Sequence, residues 1–110
     1  MNVQVSTSAD YTVVCVDGRV DTTNASELEK SMLEVIEGGG TKIILDCSGL
    51  NYISSSGLRV FLVIQKKLML LKGQFRLCSL QPGIKEIFDI SGFSTIFSLF
   101  ADKEAAMIEK

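Results

Sequence analysis

Apolar and polar positions alternate at the start of the chain, where Val3 and Val5 predict a short strand, and residues 11–16 (YTVVCV) predict a stronger β-branched one. Asp17-Gly18 then punctuates the pattern as a turn. Asp21, Thr22, Thr23 and Asn24 form a cluster of capping residues, and Asn24 with Glu27 three positions on reads as a capping-box start. Behind it Leu28, Met32, Val35 and Ile36 recur at helical spacing, and Gly38-Gly39-Gly40 ends that helix. Residues 42–47 (KIILDC) do not alternate, as expected of a strand covered on both faces. Residues 48–54 read as a loop, and a long helix follows over residues 55–71. Residues 58–64 alone are equally compatible with a buried strand, but the segment's length and Gln65-Lys66-Lys67 favour the helix.

Residues 74–79 predict the next strand, with Phe75 and Leu77 on one face. Pro82 suits a first helical turn, Ile84, Ile87 and Phe88 follow at i, i+3 and i+4, and Ser91-Gly92 closes that helix. Residues 96–100 predict a last short strand, and Asp102 caps a terminal helix carrying Ala105, Ala106 and Ile108. Strands alternating with helices imply an α/β layer with parallel pairs at its centre, the first two strands lying antiparallel towards an edge. At 110 residues the chain makes one domain, residues 1–110.

Composition narrows the functions. A net charge of −2 and a pI near 5.0 give no electrostatic pull towards nucleic acid or an anionic membrane. The opening residues lack a basic stretch followed by an apolar run, and no apolar stretch is long enough to span a bilayer, so a cytoplasmic protein is expected. Cys15, Cys47 and Cys78 are widely spaced and each stands among aliphatic residues, which reads as small buried hydrophobes in a reducing compartment. With no histidine, neither a zinc site nor a Ser/His/Asp or Cys/His nucleophile system can be assembled from the usual groups. Gly38-Gly39-Gly40 follows a helix rather than opening one, so it is not a phosphate loop, and Asp17 and Asp21 occupy turn positions rather than forming a catalytic pair. No enzymatic activity, metal or cofactor is expected.

What remains is residues 46–58, where a buried strand ends and Ser54, Ser55 and Ser56 stand at the mouth of the longest helix. One of these serines as a plain N-cap explains the pattern structurally. A functional reading adds that a helix N-terminus tolerates an anion, so a phosphoryl group there would change the surface charge without unfolding the domain. The helix behind is apolar nearly all round: Leu58, Phe61, Leu62, Leu68 and Met69 cluster to one side and Val60, Val63, Ile64 and Leu71 to another. So small a domain is not expected to enclose both, which predicts exposed apolar surface beside the serines.

Three blocks of sequence carry a resemblance to the STAS family of anti-sigma-factor antagonists that covers almost the whole chain. Gly18-Arg19-Val20-Asp21 with Asn24 and Leu28 is similar to the family's strand, turn and first helix. Tyr52-Ile53-Ser54-Ser55-Ser56-Gly57-Leu58 resembles its phosphorylation loop, and residues 80–93 resemble the helix and turn after its fourth strand. The resemblance implies a four- to five-stranded mixed sheet with helices packed mainly on one face. It further implies that the unphosphorylated protein binds an anti-sigma factor with serine kinase activity and so frees a sigma factor. The kinase would phosphorylate Ser55, flanked by Ser54 and Ser56, and a serine phosphatase would remove the phosphate. The docking surface carried over comprises Asp21 and Thr22, Asp46, the three serines with Gly57 and Leu58, and Arg59 and Leu62 on the helix. One position departs from the motif: Ser54 stands where the family usually has Asp, which removes a negative charge beside the acceptor and leaves three adjacent hydroxyls. Two other readings stay open, a STAS interaction module that is never phosphorylated, and a small-ligand site or enzyme using the helix mouth for an anion.

Overall fold

The fold is that of a computed structural model, which describes residues 1–108; Glu109 and Lys110, the end of the expected domain, lie outside the described residues. Strand β1 (Asn2–Ser8) lies antiparallel to β2 (Tyr11–Val20), as the alternation predicts. Helix α1 (Ala25–Glu37) leads to β3 (Lys42–Asp46), β4 (Leu50–Ile53) and the long helix α2 (Ser55–Leu70). The chain continues through β5 (Gln74–Cys78), α3 (Pro82–Ser91), a single 3₁₀ turn (Phe93–Thr95), β6 (Ser98–Phe100) and α4 (Lys103–Ile108). The sheet runs β1-β2-β3-β5-β6, parallel from β2 onwards, and β4 pairs parallel with the end of β2.

Six strands form where four to five are expected, because two segments differ from their sequence reading. Asp17-Gly18 is not a turn: β2 runs on to Val20 through a register shift between Gly18 and Arg19, and Gly18 takes φ +93°, a bulge geometry open to glycine. The extension is what Leu50–Ile53 pairs with, so residues expected in a loop become β4. With only four residues between Gly49 and Ser54, no periodicity could show it.

The helices lie mainly on one face, as expected. Alternation along the central strands sends Val14, Val16, Ile43, Leu45 and Leu77 into a large core with Leu28, Met32, Phe61, Ile64 and Phe88 from α1, α2 and α3. Phe61 touches Phe75, Phe88 and Phe97 with ring centroids 6.2–6.4 Å apart, joining α2 to the sheet and to the α3 side. The opposite positions, Val13, Ile44 and Cys78, meet Ala106 of the short α4, which starts where Asp102 Oδ1 accepts the Ala105 N–H at 2.8 Å. The buried Arg76 is satisfied there: it donates to the Ala106 carbonyl and lies 5.3 Å from the centre of the Phe100 ring. Cys47 and Cys78 are buried and Cys15 is half-buried; burial pushes all three thiols up, Cys78 to about 11, which keeps them protonated and unreactive.

Candidate functional site

Helix α2 begins where β4 ends, and the three serines at that junction have three different roles. Ser54 is the N-cap, in extended conformation, and its Oγ accepts the Gly57 N–H at 3.2 Å. Its own N–H donates to the Val20 carbonyl, which fixes the helix start to the end of β2. Ser56 Oγ lies 3.4 Å from Thr22 Oγ1, across the gap to the β2–α1 loop. Ser55 is exposed, and its hydroxyl makes no hydrogen bond among the described residues. The middle serine alone is therefore free.

Gly57 explains how the helix comes so close to the sheet. A Cβ there would stand 2.7 Å from Ile53 Cγ1 and 2.8 Å from Val20 Cγ1, both core side chains. Glycine at this place lets the first turn of α2 rest directly on β2 and β4.

The β2–α1 loop is held by its own polar groups. Asp21 Oδ1 accepts from Thr23 Oγ1 at 2.6 Å and from Thr23 N at 3.0 Å, and these bonds hold the Asp21 carboxyl below its ordinary range. The expected capping box is absent. Asn24 makes no side-chain cap to α1; its Oδ1 accepts the Asp21 N–H and its Nδ2 donates to the Arg19 carbonyl. Asn24 braces the loop that carries Thr22, because a short amide can bond the backbone on its upstream side as readily as the helix.

Of the residues expected to form the docking surface, Asp21, Thr22, Ser54, Ser55, Ser56, Gly57 and Arg59 gather at this end of the molecule. Thr22, Ser56 and Arg59 line a groove of about 340 Å³ between α1 and α2, with Glu29 on its far side. Arg59 is exposed, one turn beyond Ser55 on the same side of α2. Leu58 and Leu62 are half-buried and pack against the large core, so they offer only part of their surface. Asp46 does not join them. It belongs to the opposite face of the sheet, where it accepts Cys15 Sγ–H at 3.6 Å and the Ser48 N–H at 3.0 Å. The alternation that turns Leu45 to the helices turns Asp46 away from them.

Apolar exposure differs from the expectation as well. Phe61, Ile64 and Leu68 are enclosed, and the most exposed apolar side chains of α2 are Met69 and Leu70 at its far end rather than beside the serines. Near the serines it is Tyr52 of β4 that is exposed, with the Arg19 guanidinium 4.1 Å above its ring centre. The sequence reading missed this Arg19–Tyr52 pair as a feature of the site. It follows directly from the cross-strand register of β2 and β4, in which the two residues are partners.

Comparison with known proteins gives consistent results. The family model described as STAS domain matches residues 2–106. A Bordetella bronchiseptica protein named as an anti-sigma factor antagonist, BtrV, is 40% identical over 94 residues, 86% of this chain and 81% of that protein. An anti-sigma factor antagonist from Mycobacterium paratuberculosis superposes with a TM-score of 0.87 at 23% identity, over 96% of this chain and 90% of that one. The antagonist SpoIIAA in its unphosphorylated form gives 0.80 at 22% identity, over 96% and 93% of the two chains. The phosphorylated form of SpoIIAA from Bacillus gives 0.74 at 21%, over 96% of each chain.

Proposed function

The chain belongs to the STAS domain family, and from that premise we propose that it is an anti-sigma-factor antagonist switched by phosphorylation of Ser55. Unphosphorylated, it binds an anti-sigma factor that is also a serine kinase, and so releases a sigma factor. The kinase transfers the γ-phosphoryl group of ATP to Ser55 Oγ: the new O–P bond replaces the bond to the β–γ bridging oxygen, ADP leaves, and the hydroxyl proton is lost. A serine phosphatase restores the hydroxyl with water and releases phosphate. ATP and its metal belong to the kinase.

The observation that carries this reading is the division of labour among the serines, with Ser54 and Ser56 engaged and Ser55 exposed and unbonded. A phosphoryl group on Ser55 adds about −1.5 to −2 charge at neutral pH. The free N–H groups of the first turn of α2 accommodate it, so the domain stays folded while the docking surface gains negative charge. The relatives' names support the antagonist role, and SpoIIAA shows that a protein of this fold exists in both phosphorylation states.

The experiment is a calorimetric titration of the cognate kinase-type anti-sigma factor with unmodified protein and with Ser55→Asp. Binding lost on Ser55→Asp, with an unchanged circular dichroism spectrum, is the expected result, and unchanged affinity would sink the switch. A second reading has a specific observation behind it. Ser54 supplies the cap that the family's usual Asp would supply, but without the charge beside the acceptor. If that charge is what the kinase reads, the protein is a constitutive STAS interaction module. Intact-mass analysis of protein from its own cells separates the two readings, since only the switch adds one phosphate.

A further inference from the structure

Helix α2 turns a continuous strip outward: at about 100° per residue, Ser55, Arg59, Leu62, Lys66 and the Met69–Leu70 pair follow one another along it. The proposed switch uses only the first half. At the far end, about 22 Å from Ser55 by helical rise, Met69 is 67% exposed, Leu70 82% and Leu71 48%. Lys66, Met69 and Leu70 border a shallow hollow of about 410 Å³. The fold does not need these side chains outside, because Phe61, Ile64 and Leu68 already close the core beneath α2.

Charge says what fits there. Between Asp46 and Glu86 the chain has six cationic residues and no Asp or Glu. Arg76 is buried and Lys85 pairs with Asp89, which leaves Arg59, Lys66, Lys67 and Lys72 as the exposed charge on and just beyond α2. Neighbouring α1 carries Glu27, Glu29, Glu34 and Glu37 against Lys30 alone. A second copy docked on this patch about a two-fold axis would bring lysines onto lysines. A flat anionic bilayer would meet the glutamates of α1 beside it. A narrow partner segment with carboxylates flanking an apolar stripe meets neither obstacle.

We propose that the C-terminal half of α2 is a second docking surface, which takes an acidic amphipathic helix of the anti-sigma factor, its apolar side on Met69 and Leu70 and its carboxylates on Lys66 and Lys67. The identity of the partner rests on the function proposed above; the surface itself does not involve Ser55.

The first test titrates ¹⁵N-labelled protein with an 18-residue helical peptide bearing a stripe of Leu flanked on both sides by Glu. Controls are the same peptide with Lys for Glu, the same with Ser for Leu, and phosphatidylglycerol vesicles. The Glu/Leu peptide is expected to shift the amides of residues 66–72, to bind at least tenfold more weakly to Leu70→Glu, and to bind Ser55→Asp within twofold of the unmodified protein. Leu70→Glu is expected to keep the melting temperature, since that side chain is in solvent. Shifts absent or centred elsewhere, equal binding by the Lys/Leu peptide, preferential binding to vesicles, or self-association that Leu70→Glu abolishes in sedimentation would each overturn the proposal. The second test uses the whole anti-sigma factor, for which Leu70→Glu should weaken binding at least tenfold. If Ser55→Asp abolishes that binding and Leu70→Glu leaves it unchanged, this surface is refuted and the switch stands. If Leu70→Glu weakens it and Ser55→Asp does not, the surface stands and the switch fails.

Discussion

Ser54 and Ser55 are adjacent, yet the backbone gives them opposite tasks. Ser54 is held extended, so its hydroxyl turns back onto the Gly57 N–H, whereas Ser55 has entered the helix and its side chain points away. Ser54→Ala should therefore cost about 1 kcal/mol through loss of the cap. Ser54→Asp should hold or slightly raise stability, since Asp caps as well as Ser and its charge suits the helix N-terminus. Ser55→Ala should be close to neutral. Thermal unfolding of the three variants checks this, and a Ser55→Ala loss equal to that of Ser54→Ala would contradict the assignment. Asp21 offers a test by pH. Its folded carboxyl titrates below the unfolded value of 3.8 because Thr23 donates to it twice. The stabilisation is thus fully present above the unfolded value and is lost as pH falls through the folded one. Asp21→Asn should melt below the wild type at neutral pH, and the gap should close in acid. A gap that widens on acidification would rule out this account.

At the scale of elements, α2 depends on a close fit to β2 and β4 that only glycine at position 57 permits. Gly57→Ala gains up to about 1 kcal/mol in helix propensity, but its methyl group falls against Ile53 and Val20 in the core. Overpacking of this kind costs about 1–3 kcal/mol, so the net effect should be a loss of stability. Denaturant unfolding measures it, and a stabilised Gly57→Ala would mean that β4 yields more easily than its pairing suggests. The same elements mark what could be seen in the sequence. Helix α2 was legible because its length and capping signals agree, α1, β5 and α3 because one periodicity governs each, and β3 because an unbroken apolar run marks a strand covered on both faces. Strand β4 was not, since its partner is the bulged end of β2 and a bulge looks like a turn when only the residues are known. The serines were legible as a helix mouth, but which hydroxyl stays free depends on backbone angles and on Thr22 across the gap. Asp46 joins the expected site through its match to a polar position of the resembled family, whereas strand alternation places it on the other face.

At the scale of the molecule, a net charge of −2 conceals a division, with acid on α1 and base on α2 side by side. The field felt by an approaching partner is that of the nearer helix, since the Debye length is about 8 Å at physiological ionic strength. An acidic partner is therefore steered towards α2 and away from α1, and the effect belongs chiefly to the rate of association. Reversing Lys66 and Lys67 together to Glu should slow association with the anti-sigma factor at least tenfold at low salt and, because these lysines also meet the partner's carboxylates, speed dissociation as well. Raising the salt should shrink the difference between the variant and the wild type. At physiological ionic strength a phosphate on Ser55 lies about two Debye lengths from Lys66, so there it should leave that steering largely in place and act at the contact itself, on dissociation. Stopped-flow association at several salt concentrations separates these effects. If Lys66→Glu/Lys67→Glu altered dissociation alone, with no dependence of its association rate on salt, the lysines would act only as contacts within the interface and the guiding field would be refuted.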